Sequence, residues 1–202
     1  MVTGSERSAG KRPAPSLASD NPVPGRQRTL TLRNRQHVRR VDLRLLRRTV
    51  QVLLRQAWPD GAFDLAIYLV AAPEMTRLNE TFLRHKGPTD VITFDYAERV
   101  GQASRLSSSG APNRRSRDRR DACPTLLHGE VFVCLDEAVS QARRFHATWQ
   151  SELVRYVVHG LLHLLGYDDR NARARREMKT AEDTLVRQLA RQFDFGRLNP
   201  RS

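Results

Sequence analysis

Residues 126–145 read "LLHGEVFVCLDEAVSQARRF", and the pattern changes midway. Leu126 to Leu135, which holds Val131, Phe132 and Val133, reads as a strand. The following "EAVSQARRF" reads as a helix, with Asp136 placed to cap it. A strand that passes directly into a helix points to an α/β or α+β domain, and the neighbouring segments repeat the alternation. Upstream, "RTLTLRN" (Arg28–Asn34) alternates apolar and polar residues as a strand does. "VDLRLLRRTVQVLLRQAW" (Val41–Trp58) sets Leu43, Leu45, Leu46, Val50, Leu53 and Leu54 at helical spacing, and Pro59-Asp60-Gly61 ends it. "AFDLAIYLV" (Ala62–Val70) is a second strand, Pro73 opens the helix "PEMTRLNETFL", and a turn at Gly87-Pro88 leads into a short strand at Val91–Phe94. Downstream, residues 149–165 form an apolar helix, and a charged helix runs from about Ala172 to Phe193. The expectation is a single α/β (α+β) domain, with one sheet of about four strands and about five helices.

Two segments stand apart. Residues 1–26 are rich in Ser, Ala, Pro, Gly and Arg and lack apolar periodicity, so they read as a disordered basic extension. Residues 97–124 are low in complexity and read as a disordered insertion within a domain spanning 27–195, with 196–202 as a C-terminal tail. The charge follows this division. Of the net +13, residues 1–40 contribute +7 and residues 98–122 contribute +4. Such basic segments suit a polyanion such as RNA, and equally a merely solubilising extension. No run of about 18 apolar residues is present, so no transmembrane helix is expected. The charged N-terminus lacks an apolar stretch after it, so no secretory signal is expected. Two cysteines, Cys123 and Cys134, form no CxxC pair, which fits a reducing cytoplasm.

Within the apolar helix lies "HGLLHLLGYDDRN" (His159–Asn171). His159 and His163 are four residues apart and so share a helix face, able to present two imidazoles to one ion. Gly166 suits a left-handed helix end that redirects the chain, after which Asp168 or Asp169 could turn back as a third ligand. Three protein ligands with an open fourth position, filled by water, are the arrangement of a catalytic zinc. A histidine pair alone fits a packed, hydrogen-bonded helix better, because the pattern is short and common; the glycine and the acidic pair shift the balance toward a metal. The zinc-protease pattern HExxH needs a glutamate where Gly160 stands, which argues against peptidase chemistry, and neither a phosphate-binding loop nor a GxSxG elbow occurs.

"HGLLHLLGYDDRNARARREM" resembles the signature of the YbeY family of rRNA maturation factors, which are zinc-dependent endoribonucleases with the motif HGxLHLxGYDH and a methionine nine residues beyond. Met178 stands nine residues after Asp169. "LNETFLRHKGPTDVITF" (Leu78–Phe94) is similar to that family's LN…PTDVLSF segment, and "HGEVFVCLDEA" (His128–Ala138) to its GDI(x)I strand with the EA that follows. The resemblance covers roughly residues 28–193 and implies one domain with a small mixed sheet. It also implies zinc, one ion per chain, on His159, His163 and the residue at position 169. That third ligand is usually histidine in the family and is Asp169 here. Asp168 matches the Asp of GYDH. A family arginine just beyond LNxxF falls, counted without a gap, on Leu83, with Arg84 one residue on. The family's loop before the next strand is also much shorter than residues 97–124.

The implied activity is single-strand-specific cleavage of RNA during 16S rRNA 3′-end maturation, in small-subunit ribosome biogenesis and quality control, by a cytoplasmic protein with no DNA or membrane partner. Zinc would polarise a phosphoryl oxygen or activate its bound water, and Arg84, His85 and Lys86 are candidates to hold phosphate. The alternatives are a non-catalytic zinc-containing assembly factor and a zinc hydrolase of another substrate. No general base is evident, and oligomeric state is not encoded legibly.

Overall fold

The computed structural model describes residues 28–59, 61–97 and 126–200. The expected N-terminal extension and nearly all of the expected insertion lie outside the described residues. Four strands, β1 (Arg28–Asn34), β2 (Ala62–Val70), β3 (Val91–Asp95) and β4 (Leu126–Cys134), form one sheet in the order β1-β2-β4-β3. β1 is parallel to β2 and β2 to β4, whereas β3 is antiparallel to β4. The sheet is therefore mixed, as expected. Among the described residues five α-helices accompany it: α1 (Leu43–Ala57), α2 (Ala72–Leu78), α3 (Leu135–Arg144), α4 (Trp149–Leu164) and α5 (Ala172–Ala190).

Alternation along each strand divides the sheet into two faces. One face sends Leu65, Ile67 and Leu69 of β2 and Leu127, Val131 and Val133 of β4 into the main core. Leu46, Val50, Leu53 and Leu54 of α1, the apolar side of α4, and Met178, Val186 and Leu189 of α5 close over it. On the other face a smaller cluster joins Val70, Ile92, Phe132 and Cys134 to Met75 of α2. Asp42 caps α1 by accepting the backbone N–H groups of Arg44 and Leu45, both at 2.9 Å.

Three expectations need correction. Asp136 does not cap α3, because β4 runs straight into the helix and leaves Cys134 at the cap position. Its carboxylate instead accepts the Ala72 N–H at 2.7 Å and so ties the start of α2 to the start of α3. The helix opened by Pro73 changes form partway, since α2 ends at Leu78 and a π-helical turn covers Asn79–Leu83. The packed body also extends past residue 195: a 3-10 turn, Phe195–Leu198, buries Leu198 completely, and its carbonyl accepts the Asp42 N–H at 2.8 Å. A single apolar residue in a polar stretch has no periodicity to reveal this. The charge is likewise less segregated than composition suggests. Arg28 and Arg33 lie in β1, and Arg35 pairs with Glu74 at 2.7 Å. Among the described residues, no helix is long and apolar enough to cross a membrane.

Candidate metal centre

The site is built at the C-terminal end of α4. Thr148 caps the start of this helix by accepting the Ser151 N–H at 3.2 Å. Its buried residues include Leu153, Val154, Val157, Val158, Leu161, Leu162 and Leu164, so packing fixes its rotation about its own axis. Gly160 presses that packing closest: a Cβ there would lie 2.5 Å from Val131 Cγ1 and 3.2 Å from Val91 Cγ1. The general-base glutamate of HExxH therefore has no room at position 160, and the absence of that residue has a steric as well as a chemical meaning.

With Gly160 against the sheet, His159 and His163 lie together on a part-buried flank. Their Nε2 atoms are 3.2 Å apart, and the rings meet nearly edge to face, with centroids 4.8 Å apart and an interplanar angle of 82°. The helix then ends as a Schellman motif. Gly166 has φ of 91°, its N–H donates to the His163 carbonyl at 3.0 Å, and the Tyr167 N–H donates to the Leu162 carbonyl at 3.0 Å. Asp168 shapes the turn that follows, accepting the Asp169 N–H at 2.9 Å and the Arg170 guanidinium at 3.0 and 3.1 Å. Asp169 comes back toward the histidines, so that one ligand atom each from His159, His163 and Asp169 lies within 4.8 Å of the others. Asn171 then caps α5 through the Arg173 and Ala174 N–H groups.

This donor set fits a transition-metal ion. Zinc–ligand bonds of about 2.0–2.1 Å at tetrahedral angles separate donor atoms by roughly 3.3 Å. The two imidazole nitrogens are already at that spacing, and Asp169 needs only a small closing movement. Two nitrogens and one carboxylate oxygen leave a position open, as in catalytic rather than structural sites.

A further acid completes the surroundings. Glu182, on α5, is buried, and its Oε2 lies 3.0 Å from His159 Nδ1. Its other oxygen accepts from Arg155 Nη1 at 2.5 Å and Lys179 Nζ at 2.8 Å. Burial alone would raise the Glu182 carboxyl, but the hydrogen bonds from His159, Lys179 and Arg155 outweigh it and hold the pKa at about 2. Burial also disfavours the His159 imidazolium, yet the hydrogen bond and charge of Glu182 bring a net upward shift. His163 moves the other way, lowered by burial and by the adjacent His159.

The structure brings together His159, His163 and Asp169, the three residues singled out from the sequence, and adds Glu182, which the sequence reading missed. A signal was available: Met178, Glu182, Val186 and Leu189 follow helical spacing and are all buried, so a carboxylate stands in an apolar stripe. Arg84, His85 and Lys86 are not part of the metal cluster. They form an exposed turn where the π-helical segment ends, with Arg84 in the left-handed region at φ 59° and the Asn79 amide donating to the Gly87 carbonyl at 2.8 Å.

Comparison with known proteins agrees with this geometry. Residues 31–190 match the YbeY family, described as Endoribonuclease YbeY. A protein of that name from Chlorobium luteolum is 32% identical over 153 residues, covering 76% of this chain and 93% of its own length. One from Acidothermus cellulolyticus is 37% identical over 158 residues, covering 78% and 89%. The solution structure of TM1509 from Thermotoga maritima aligns with a TM-score of 0.53 at 23% identity, over 85% of this chain and 94% of that one, which supports the fold. With its motifs, its mixed sheet and its relatives in agreement, the chain belongs to the endoribonuclease YbeY family.

Proposed function

We propose that this protein is a metal-dependent endoribonuclease that cleaves single-stranded RNA in the maturation of the 16S rRNA 3′ end, in the cytoplasm and in association with the small ribosomal subunit. One zinc ion per chain would be held by His159, His163 and Asp169. The observation that carries the reading is the convergence of two imidazoles and one carboxylate within 4.8 Å, in a chain whose relatives are named endoribonucleases. When bound, zinc supplies Lewis acidity toward a phosphoryl oxygen. The chain's own residues do the rest. Burial of α4 holds the two imidazoles in one orientation, and Gly166 and the Asp168 turn return Asp169 to them. Asp169 adds one negative charge, so the site is less electropositive than one built from three imidazoles. Arg84, His85 and Lys86 offer cationic and hydrogen-bonding groups to the phosphates of an unpaired strand.

The test joins metal analysis to RNA cleavage. The full-length protein is assayed on single-stranded and duplex RNA with and without zinc, and 16S rRNA ends are mapped in a strain lacking it. The expected result is metal-dependent cutting of the single strand, lost in His163→Ala, together with unprocessed 3′ ends. Equal cleavage by metal-depleted protein would sink the proposal.

A further inference from the structure

We propose that Glu182 is a positioning residue of the metal centre: it fixes which nitrogen of His159 is free to bind metal. The proposal rests on the metal reading of His159, His163 and Asp169. A neutral imidazole carries one N–H and one lone pair, and only the nitrogen with the lone pair ligates. His159 places Nδ1 3.0 Å from Glu182 Oε2 and Nε2 3.2 Å from His163 Nε2. An ionised carboxylate only accepts hydrogen bonds, so the proton belongs on Nδ1 and the lone pair on Nε2, which faces the other ligands. A carboxylate behind a ligating imidazole also makes the imidazole a stronger donor.

Glu182 is itself held in place. It is 5% exposed, and Arg155 and Lys179 both bind Oε1, leaving Oε2 for the histidine. Arg155 reaches Asp183 Oδ1 at 2.6 Å as well, so the α4 side of this contact is anchored to two successive acids of α5. The helix that begins three residues after the third ligand thus also carries the group that orients the first. A purely structural ion pair between Glu182 and its two cations would not require Oε2 to meet Nδ1.

The experiment uses the full chain and zinc as the probe. Affinity is measured by competition with a chromogenic chelator, and the His159 ring nitrogens of the metal-free protein are read by ¹⁵N NMR. The wild type should carry its proton on Nδ1. Glu182→Ala should weaken zinc binding by about 10–100-fold and mix the tautomers. Glu182→Gln, whose amide oxygen still accepts the N–H, should lose less. Arg173→Ala, which removes an exposed cation paired with Glu177 on the same helix and touches neither Glu182 nor His159, should bind zinc as the wild type does. A wild-type proton on Nε2 overturns the proposal without recourse to any variant. So does a folded Glu182→Ala that binds zinc as tightly as the wild type. A wild type that binds no zinc overturns the metal reading itself, and this inference with it.

Discussion

At the scale of single residues, the centre turns on two adjacent aspartates with different tasks. Asp168 spends its carboxylate on the Asp169 N–H and the Arg170 guanidinium, which also lowers its pKa. Asp169 leaves its carboxylate near the imidazoles. Replacing Asp169 by Ala should therefore take zinc content from about one per chain to near zero, since two imidazoles alone do not satisfy the ion. Replacing Asp168 by Ala should keep the metal and cost only about 1 kcal/mol for the half-exposed turn. Asp169→His should retain zinc, because imidazole nitrogen is an equally suitable donor. Metal analysis of the three variants decides the matter, and zinc lost from Asp168→Ala but kept in Asp169→Ala would reverse the assignment.

At the scale of elements, α4 is located by a glycine in its middle and released by a glycine at its end. Gly160→Ala must push a methyl against the buried Val131, an overpacking cost of about 1–3 kcal/mol that the better helix propensity of Ala offsets by roughly 1 kcal/mol. Gly166→Ala meets nothing within 4 Å but is forced to φ 91°, at a cost of about 1–2 kcal/mol. Urea midpoints should fall in both variants, and both should weaken metal binding: Gly160→Ala displaces the helix that carries both histidines, and Gly166→Ala strains the turn that returns Asp169 to them. A Gly160→Ala variant that is more stable than the wild type, showing the propensity gain with no packing cost, would mean that α4 is not pressed to the sheet. The two glycines also mark how far elements were legible. Gly166 announced its role, because a helix stop is a local event written in local residues. The alternation of Arg28–Asn34 and the helical spacing of Val41–Trp58 were legible for the same reason. Asp136 misled because a cap and a first-turn acid look alike until its partner, the Ala72 N–H 64 residues away, is known. Glu182 escaped notice because its function is a pairing between two helices, and no single-helix pattern records which residue lies opposite.

At the scale of the whole molecule, charge and core have separate consequences. Residues 1–26 contain four basic side chains, Arg7, Lys11, Arg12 and Arg26. If all four reach phosphates, deleting the segment should flatten the salt dependence of single-strand RNA binding by up to about 3 in log–log slope, and an unchanged slope would leave the segment without a part in binding. The core sets the response to metal removal. The main cluster joins sheet, α1, α4 and α5 through apolar side chains, none of them a candidate ligand, and Glu182 keeps Arg155 and Lys179 when the ion leaves. Unlike a zinc finger, whose folding energy is its metal binding, this domain should keep its far-ultraviolet circular dichroism and cooperative melting after chelation. Binding to the native state alone adds about 2.7 kcal/mol at a free zinc concentration 100 times Kd. For a domain of this size that corresponds to a rise of roughly 5–11 °C in Tm. Chelated protein should therefore melt lower by about that interval, cleave no RNA, and recover both properties when zinc is restored. Collapse of the secondary structure on chelation would instead make the ion part of the fold, and the two imidazoles would then be brought together by the metal and not by the packing of α4.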